Sequence, residues 1–242
     1  MASAVQRLAV RLSPIANCHS QLVATRLREL GLRGEPMISP GLIYNDSARE
    51  PTLTQIRPPR VIYVGRHIPD KRVESLPAAI ANAREQIPDL VATIFGDGPR
   101  RAAVAAERDR LGLHDVIRMP GFVSQEELDA AVQTASCLVN PSAREGYGLV
   151  VVESCAAGTP VVLVEGEDNS AVELIETGIN GRVAESTSPA DLGAAIVDVV
   201  TAGEPMRKTT LVWFEEARRT KTVRMTATRI LARLEAAVSA AG

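Results

Sequence analysis

From residue 60 onward, short apolar runs rich in β-branched residues alternate with stretches of helical periodicity. Six runs are predicted strands: 61–65, 90–96, 115–120, 137–141, 160–164 and 181–185. Six stretches are predicted helices: 71–87, 99–112, 124–135, 148–158, 169–177 and 188–201. Runs that are apolar throughout indicate strands buried on both faces. The pattern therefore predicts an α/β fold, a doubly wound parallel sheet of the Rossmann-like type.

The strongest local motif is EGYGLVVVE at 145–153, which follows the fourth predicted strand and opens a predicted helix. Ligands of such sheets bind at the carboxyl ends of strands. Gly146 and Gly148 allow close backbone approach, and the first N–H groups of a helix favour an anion. Glu145 and Glu153 can accept hydrogen bonds from hydroxyls, so the motif predicts a phosphate-bearing sugar or ribose ligand. The alternative is that Glu145 favours the helix dipole and Glu153 is solvated.

Two further loops end predicted strands. Arg66 and Lys71 flank the loop of VGRHIPDKR, where two cations could clamp a diphosphate and stabilise a charged leaving group. The alternative is a solvated loop with ordinary surface cations. His67 has no second histidine nearby and is interpreted as a loop residue. The segment FGDGP at 95–99 is a glycine turn, which is typical of a ligand-lining loop but common elsewhere.

The sequence lacks the motifs of several other classes of protein. The sequence contains neither GxGxxG nor GxxxxGK[ST], which argues against a dinucleotide-dependent oxidoreductase and a Walker-type nucleotidase. No DxD and no cluster with metal-ligand spacing occur, so no metal site is predicted. The net charge of -2 and the seven aromatic residues (3 Phe, 3 Tyr, 1 Trp) disfavour nucleic acid as a partner.

The cysteines and the hydropathy of the sequence indicate the cellular compartment. Cys18, Cys137 and Cys155 have no CxxC spacing, and the last two lie in apolar segments, so small buried core residues and a reducing, cytoplasmic compartment are predicted. No apolar run approaches the roughly 20 residues that span a bilayer. The N-terminus has four arginines and no acid before Glu29, as in transit peptides. Helical spacing over 19–30 favours an amphipathic helix instead.

A family resemblance joins these segments. VGRHIPDKR, FGDGP, IRMPGFVSQEEL, NPSAREGYGLVVVESCAAGTPVV and ELIETGINGRV resemble, in order and approximate spacing, glycosyltransferase family 4. The resemblance covers about residues 60–201 and is most specific over 140–162. It implies a GT-B fold, in which two Rossmann-like domains face a cleft and the C-terminal one holds a nucleotide-sugar donor. It also implies transfer with retention of anomeric configuration and without a metal. The nucleotide sugar is a co-substrate, so no cofactor is expected.

The resemblance also implies residue roles. Arg66 and Lys71 would bind the donor diphosphate and stabilise the departing nucleotide, while Glu145 would contact hydroxyls of the donor sugar. Glu153 would hold the ribose hydroxyls. The remaining donor-binding positions act through backbone: Gly146, Tyr147, Gly148 and Leu149 at the phosphates, Met119 at the base, and Gly65 and Gly96 in the lining loops. Catalysis would then be electrostatic, without a protein nucleophile.

The resemblance divides the chain into three parts. Residues 1–50 are predicted to be the end of an N-terminal Rossmann-like domain plus a linker, and 51–203 the donor-binding domain. Residues 204–242 are predicted to be C-terminal helices that cross back to the N-terminal domain. The acceptor-side residues of the family, including a histidine, have no counterpart here. The isolated chain is therefore expected to be inactive or weakly active.

Partners and alternatives follow from this division. A nucleotide-sugar donor and a sugar, lipid or small-molecule acceptor are expected, with peripheral membrane association if the acceptor is a lipid. The helices around Trp213 predict an exposed apolar surface, hence a partner chain or self-association. One alternative function is a module that binds a nucleotide sugar without transferring it. Another is a sugar-nucleotide epimerase with the same fold. The nucleotide base stays open among uracil, guanine and adenine.

Overall fold

The computed structural model describes residues 3–13, 15–39, 41–43, 51, 53, 54 and 56–241. Residues 44–50, which include the first part of the predicted linker, lie outside this set. The chain forms two compact units, one of Met1–Ser47 with Glu216–Gly242 and the other of Ala48–Glu215. The predicted three-part division at residues 50 and 203 stays a prediction.

Strands and helices alternate through most of the described chain. The strands are β1 (Asn17–Cys18), β2 (Met37–Ile38), β3 (Arg60–Val64), β4 (Val91–Phe95), β5 (Ile117–Gly121), β6 (Cys137–Asn140), β7 (Arg144–Glu145), β8 (Val161–Val164), β9 (Asp168–Asn169) and β10 (Gly181–Ala184). The α-helices are α1 (Ala4–Leu12), α2 (Gln21–Glu29), α3 (Leu76–Arg84), α4 (Arg101–Arg110), α5 (Gln125–Gln133), α6 (Leu149–Ala156), α7 (Pro189–Thr220) and α8 (Val223–Ala241).

Six strands of the larger unit form one parallel sheet in the order β10-β8-β6-β3-β4-β5. When only the six strands of this sheet are numbered along the chain, their spatial order is 6-5-4-1-2-3. The direction of winding thus reverses between β3 and β6, which pair at Val61↔Cys137 and Ile62↔Leu138. This strand order is that of the Rossmann fold, so the predicted doubly wound parallel sheet is confirmed.

The sheet is buried because its strands carry apolar residues on both faces. Every residue of β6 and β8 is buried, as expected for central parallel strands covered by helices. One core cluster joins Ile94 of the sheet to Leu76 and Ile80 of α3 and to Ile196 of α7. Burying each such side chain is worth about 1.5–3 kcal/mol. The hydrophobic effect therefore fixes the sheet, and the sheet fixes the loops at its edge.

Three predicted helices differ from the structure. The helix predicted over 71–87 is preceded by two 3₁₀ turns, and α3 begins only at Leu76. The helix predicted over 169–177 is wrong in type, because a short 3₁₀ helix, Ser170–Leu174, stands there. The side chain of Asn180 accepts the Glu176 N–H at 2.8 Å, so this helix does not continue.

The third difference concerns α7, in which the helix predicted over 188–201 and the first of the C-terminal helices predicted over 204–242 run together. Gly203 has φ 55° and ψ -135°, outside the helical region, and Pro205 follows it inside the helix. A kink is the expected result of such a pair. Past the kink, buried Arg207 donates to the carbonyl oxygens of Gln133 at 3.0 Å and Ala135 at 2.5 Å. These bonds attach the second half of α7 to the segment that leads into β6.

The smaller unit contains a two-stranded parallel sheet, in which β1 and β2 pair at Asn17↔Met37 and Cys18↔Ile38. Helix α2 connects them, and its cap Ser20 accepts the Val23 N–H at 3.1 Å. Helix α8 belongs to the same unit. It is joined to the segment after β2 by the Thr226 hydroxyl, which donates to the Gly41 carbonyl at 2.7 Å.

All three cysteines are buried and carry free thiols, which confirms the prediction of buried core residues made for Cys137 and Cys155. Burial raises the pKa of both Cys137 and Cys155 to about 12, so these thiols are unreactive at neutral pH. Among the helices described, none is both long enough and apolar enough to cross a membrane.

Candidate functional site

The point at which the strand order reverses places two loops side by side. One follows β3 and contains Arg66 and Lys71, and the other follows β6 and contains Glu145. The Ala143 N–H donates to the Asp70 carbonyl at 2.8 Å, which fastens the two loops together. In open α/β sheets this crevice, outside the carboxyl ends of the strands, is where ligands bind.

An ion pair lies in the crevice. The Lys71 ammonium donates to Oε1 of Glu145, and both side chains are largely buried, at 18% and 16% exposure. Asn140 Nδ2 donates to the same oxygen at 3.1 Å, and the Ser142 hydroxyl lies 3.3 Å from it. The second oxygen, Oε2, makes no hydrogen bond to any residue that the structure describes. The carboxylate is thus held by one oxygen, and the other can accept from a ligand hydroxyl.

The support for this carboxylate was missed at the sequence level. Asn140 ends the buried strand β6, and its Oδ1 accepts the Ser142 N–H at 3.2 Å. Asn169 Nδ2 then donates to the Ser142 carbonyl at 3.2 Å and to the Val164 carbonyl at 2.9 Å. A polar residue that closes an otherwise apolar run, as Asn140 does, is the signal that could have identified this network.

The backbone next to Glu145 is shaped for a close ligand. Helix α6 begins after Gly148, whose φ of 86° and ψ of 54° are left-handed. A Cβ on Gly148 would lie 2.7 Å from the Ala171 Cβ, whereas a Cβ on Gly146 would meet no atom within 4 Å. The first N–H groups of a helix have no acceptor within it. The exposed Gly146 and the start of α6 therefore present open backbone beside the Lys71–Glu145 pair.

The other residues predicted in this segment differ in exposure. The Tyr147 side chain is 8% exposed and is mainly packed, while Leu149 is 50% exposed at the first position of α6. Glu153 lies on the solvent side of α6, between buried Val152 and Ser154. Its proposed contact with ribose hydroxyls stays a prediction.

The loop after β3 exposes one more cation. The Arg66 side chain makes no hydrogen bond or ion pair with the residues described, and it is exposed. Its carbonyl oxygen accepts from the buried hydroxyl of Tyr63 at 3.0 Å. Burial, reinforced by the negative charge of Glu145, raises the pKa of Tyr63. Tyr63 therefore stays neutral and acts as a donor that shapes the loop.

The loops after β3 and β4 pack backbone against backbone. Gly96 has φ 99°, and a Cβ there would lie 2.0 Å from the Gly65 carbonyl oxygen. The His67 N–H donates to the Asp97 carbonyl at 2.8 Å, and the His67 carbonyl accepts the Arg100 N–H at 2.9 Å. Of the glycines predicted to line the site, Gly96 is thus required for this close approach, whereas a Cβ on Gly65 would lie 2.7 Å from the Tyr63 hydroxyl.

Met119 lies farther along the same edge of the sheet, near the end of β5. The Arg101 guanidinium donates to the Met119 carbonyl at 2.6 Å and to the Gly96 carbonyl at 3.3 Å. This contact was not anticipated from the sequence, because nothing in the motif FGDGP marks the arginines that follow it. Nowhere in the described residues do three or more His, Cys, Asp or Glu side chains form a group that could hold a metal ion.

The strand order, with its reversal between β3 and β6, defines a Rossmann-like domain with a crevice at the carboxyl edge of its sheet. A sequence model of the family described as "Glycosyl transferases group 1" matches residues 45–211. The chain belongs to this family of glycosyltransferases.

Among curated proteins, the chain is similar to glycogen synthase of Mycobacterium tuberculosis (strain ATCC 25618 / H37Rv), with 32% identity over 146 residues, 59% of this chain and 34% of that protein. It is also similar to alpha-D-kanosaminyltransferase of Streptomyces kanamyceticus, with 34% identity over 125 residues, 52% of this chain and 32% of that protein. The chain thus spans about a third of the length of these curated relatives.

A solved structure confirms the fold independently. Anabaena Alr3699/HepE in complex with UDP and glucose superposes with a TM-score of 0.73 at 21% sequence identity, covering 94% of this chain and 64% of that one. At this identity the likeness concerns the fold. The GT-B architecture implied by the sequence motifs is therefore confirmed for the part of that fold that the chain spans.

Proposed function

We propose that this chain is the donor-binding half of a retaining, metal-independent glycosyltransferase of family 4. It would hold a nucleoside-diphosphate sugar while the sugar passes to an acceptor. One observation carries the proposal. The Lys71–Glu145 ion pair lies at the reversal point of the sheet, directly beside the open backbone at Gly146 and the start of α6.

Each part of this arrangement fits a donor. A diphosphate would accept from the α6 N–H groups and from the cations of Lys71 and Arg66, since charge-assisted bonds to an anion are roughly twice as strong as neutral ones. When Lys71 turns to the diphosphate, Glu145 stays bonded to Asn140 and Ser142 and can accept from sugar hydroxyls. Glu153 lies in α6, one helical turn after Leu149, and would accept hydrogen bonds from the ribose hydroxyls.

The transfer step follows from these positions. The bond between C1 of the sugar and the diphosphate oxygen breaks, and its electron pair stays on the diphosphate. The acceptor oxygen bonds to C1 on the same face, and the acceptor proton passes to the departing phosphate. Lys71 and Arg66 lower the barrier because they stabilise the charge that develops on the leaving group. No protein nucleophile is required by this scheme.

The similar proteins support a role in sugar transfer. The relatives are named as glycosyltransferases and synthases of sugar polymers, and the Anabaena neighbour is described with UDP and glucose. UDP is therefore the first nucleotide to test. The chain spans about a third of its curated relatives, so the acceptor, whether sugar, lipid or small molecule, belongs to the proposal as well.

The same coverage favours a second candidate, a module that binds the nucleotide sugar and transfers nothing on its own. The transferase and the binding module can be distinguished by adding the N-terminal domain of a related enzyme as a separate chain. Restored transfer from a bound donor would support the transferase. Firm nucleotide binding without transfer in that mixture would support the binding module.

The direct test is a thermal-shift series with UDP, GDP and ADP, with each monophosphate for comparison. At a ligand concentration of about 100 times Kd, binding adds about 2.7 kcal/mol to the stability. For a chain of this size the midpoint should then rise at ~2–4 °C per kcal/mol. We expect a clear shift with one diphosphate and a smaller one with its monophosphate. No shift with any of them would contradict a donor site.

A matched pair of lysine variants tests whether Lys71 binds the diphosphate. Lys71→Ala should weaken binding of the diphosphate by ~1.5–3 kcal/mol, because a charge-assisted contact is lost. Lys208→Ala should leave it unchanged, since Lys208 is exposed and pairs with Glu204 within α7. Titration calorimetry measures both, and the unfolding midpoint without ligand shows whether each variant is folded. Equal affinity of Lys71→Ala and the wild type would remove Lys71 from the site.

A further inference from the structure

The ladder between β4 and β5 is irregular where β5 ends. Thr93 pairs with Arg118 and Phe95 pairs with Gly121, so Met119 and Pro120 stand opposite the single residue Ile94. Such a bulge changes the direction of the backbone and interrupts the hydrogen bonds between the strands. Pro120 has no N–H to donate to the neighbouring strand. The strand is also the last of the sheet. The Met119 peptide therefore depends on something other than the ladder for its orientation.

Arg101 supplies that orientation. It is the first residue of α4, and its Nη2 donates to the Met119 carbonyl at 2.6 Å while its Nη1 lies 3.3 Å from the Gly96 carbonyl. The guanidinium also lies beside Gly121 at the end of β5, where a Cβ would be at an ordinary contact distance of 3.7 Å from the same Nη1. The rigid fork of an arginine thus joins the carboxyl ends of β4 and β5, whereas a lysine would have to do so from one nitrogen on a flexible stem.

We propose that Arg101 is a positioning and specificity residue for the nucleobase of the donor. The inference rests on the proposed function, in which the backbone near Met119 faces the base. Arg101 occupies one lone pair of the Met119 carbonyl, which fixes the direction of this peptide, and it brings a positive charge and its remaining N–H groups to this edge. Uracil and guanine present carbonyl oxygens as acceptors, whereas adenine presents an amino group as a donor. Arg101 therefore favours an oxo base over adenine.

The test is calorimetric titration of the full chain with UDP, GDP, ADP and inorganic pyrophosphate. The wild type should bind UDP or GDP at least about tenfold tighter than ADP, a difference of ~1.4 kcal/mol. In Arg101→Gln this preference should fall to within about threefold, and pyrophosphate affinity should not change. Arg101→Lys keeps one donor for the Met119 carbonyl and should lie between the two. Arg100→Gln is the matched control, because the exposed Arg100 side chain reaches only Glu74, at 3.9 Å.

The outcomes separate the two claims. A wild type that binds none of the four ligands overturns the proposed function and this inference with it. A wild type that binds UDP, while Arg101→Gln keeps the same ratio to ADP, overturns the role of Arg101 alone. An equal loss of affinity for all four ligands in Arg101→Gln and Arg101→Lys would show that Arg101 only joins the two strands, and this too overturns the specificity role. A wild type that prefers ADP contradicts the direction of the effect.

Discussion

At the end of β3, the imidazole of His67 has none of its surface exposed, and its Nε2 lies 3.3 Å from the Phe95 carbonyl oxygen. Since a carbonyl only accepts, this contact makes Nε2 the protonated nitrogen of a neutral ring. Nδ1 is buried without a hydrogen-bond partner among the residues described. Burial, with a smaller effect of Arg101, lowers the pKa of His67 below the ordinary 6.5. The loop residue predicted from the sequence is thus a buried, neutral support of the site.

This environment makes stability depend on pH. The pKa of His67 in the folded state is below that in the unfolded state, so the unfolded chain takes up the proton first as the pH falls. Stability is therefore complete above about pH 6.5, the unfolded pKa, and is lost as the pH falls toward the folded value. His67→Gln keeps a donor for Phe95 but does not titrate, so it should lose less stability between pH 7.5 and pH 5.5.

Urea unfolding at both pH values measures the effect. His114→Gln is the control, because the His114 side chain is 65% exposed. This variant should keep the wild-type response to pH. If His67→Gln loses as much stability on acidification as the wild type, the acid sensitivity arises elsewhere in the molecule.

Single residues of the site were predictable from position, but their contacts were not. Arg66, Lys71 and Glu145 follow apolar runs, so the sequence alone places them at one edge of the sheet. That Lys71 contacts Glu145, 74 positions away, depends on which strands are neighbours. The role of Arg101 depends on a bulge in β5, which no local propensity indicates.

At the scale of elements, two glycines two residues apart act differently at the start of α6. Gly148 needs its left-handed conformation, and a Cβ there would also collide with Ala171. Gly148→Ala should therefore destabilise the fold by at least ~1–3 kcal/mol. Gly146→Ala has space for its methyl group and no positive φ, so stability should stay within about 0.5 kcal/mol. Its methyl group would instead obstruct a diphosphate on the backbone.

Two measurements on this pair distinguish the roles. Urea unfolding gives the stability of each variant, and titration with UDP gives the affinity. Gly146→Ala should bind UDP at least about tenfold more weakly, or ~1.4 kcal/mol. Unchanged affinity in a stable Gly146→Ala variant would show that the ligand does not approach this backbone.

Elements were predictable where one periodicity dominates. Strand β8 is apolar at every position and β6 at all but its last, Asn140, and their predicted ranges agree with the structure to within one residue at either end. The 3₁₀ helix at Ser170–Leu174 was taken for an α-helix, because its apolar spacing is helical while its end is set by the distant Asn180 side chain. Tertiary hydrogen bonds override local pattern at such places.

For the molecule as a whole, apolar side chains stay exposed on the unit formed by the two chain ends. In α1, Val5, Leu8 and Leu12 are 76%, 58% and 70% exposed, and they share one face at helical spacing. Helix α8 exposes a comparable set: Leu231, Leu234 and Val238. In an average monomer such residues are scattered, so stripes of this kind mark surfaces that bind something.

We expect this surface to drive association of the isolated chain. Helix α1 has nine residues and none of them is buried, and helices this short are marginal in water without a packing partner. Light scattering after size exclusion should give a mass above 25.8 kDa that rises with concentration.

Leu8→Gln combined with Leu12→Gln should lower that mass toward the monomer. Val212→Gln, which changes an exposed residue of the other unit, should not. A wild type that stays monodisperse at the monomer mass over a hundredfold range of concentration would mean that the exposed stripes do not pair copies of this chain.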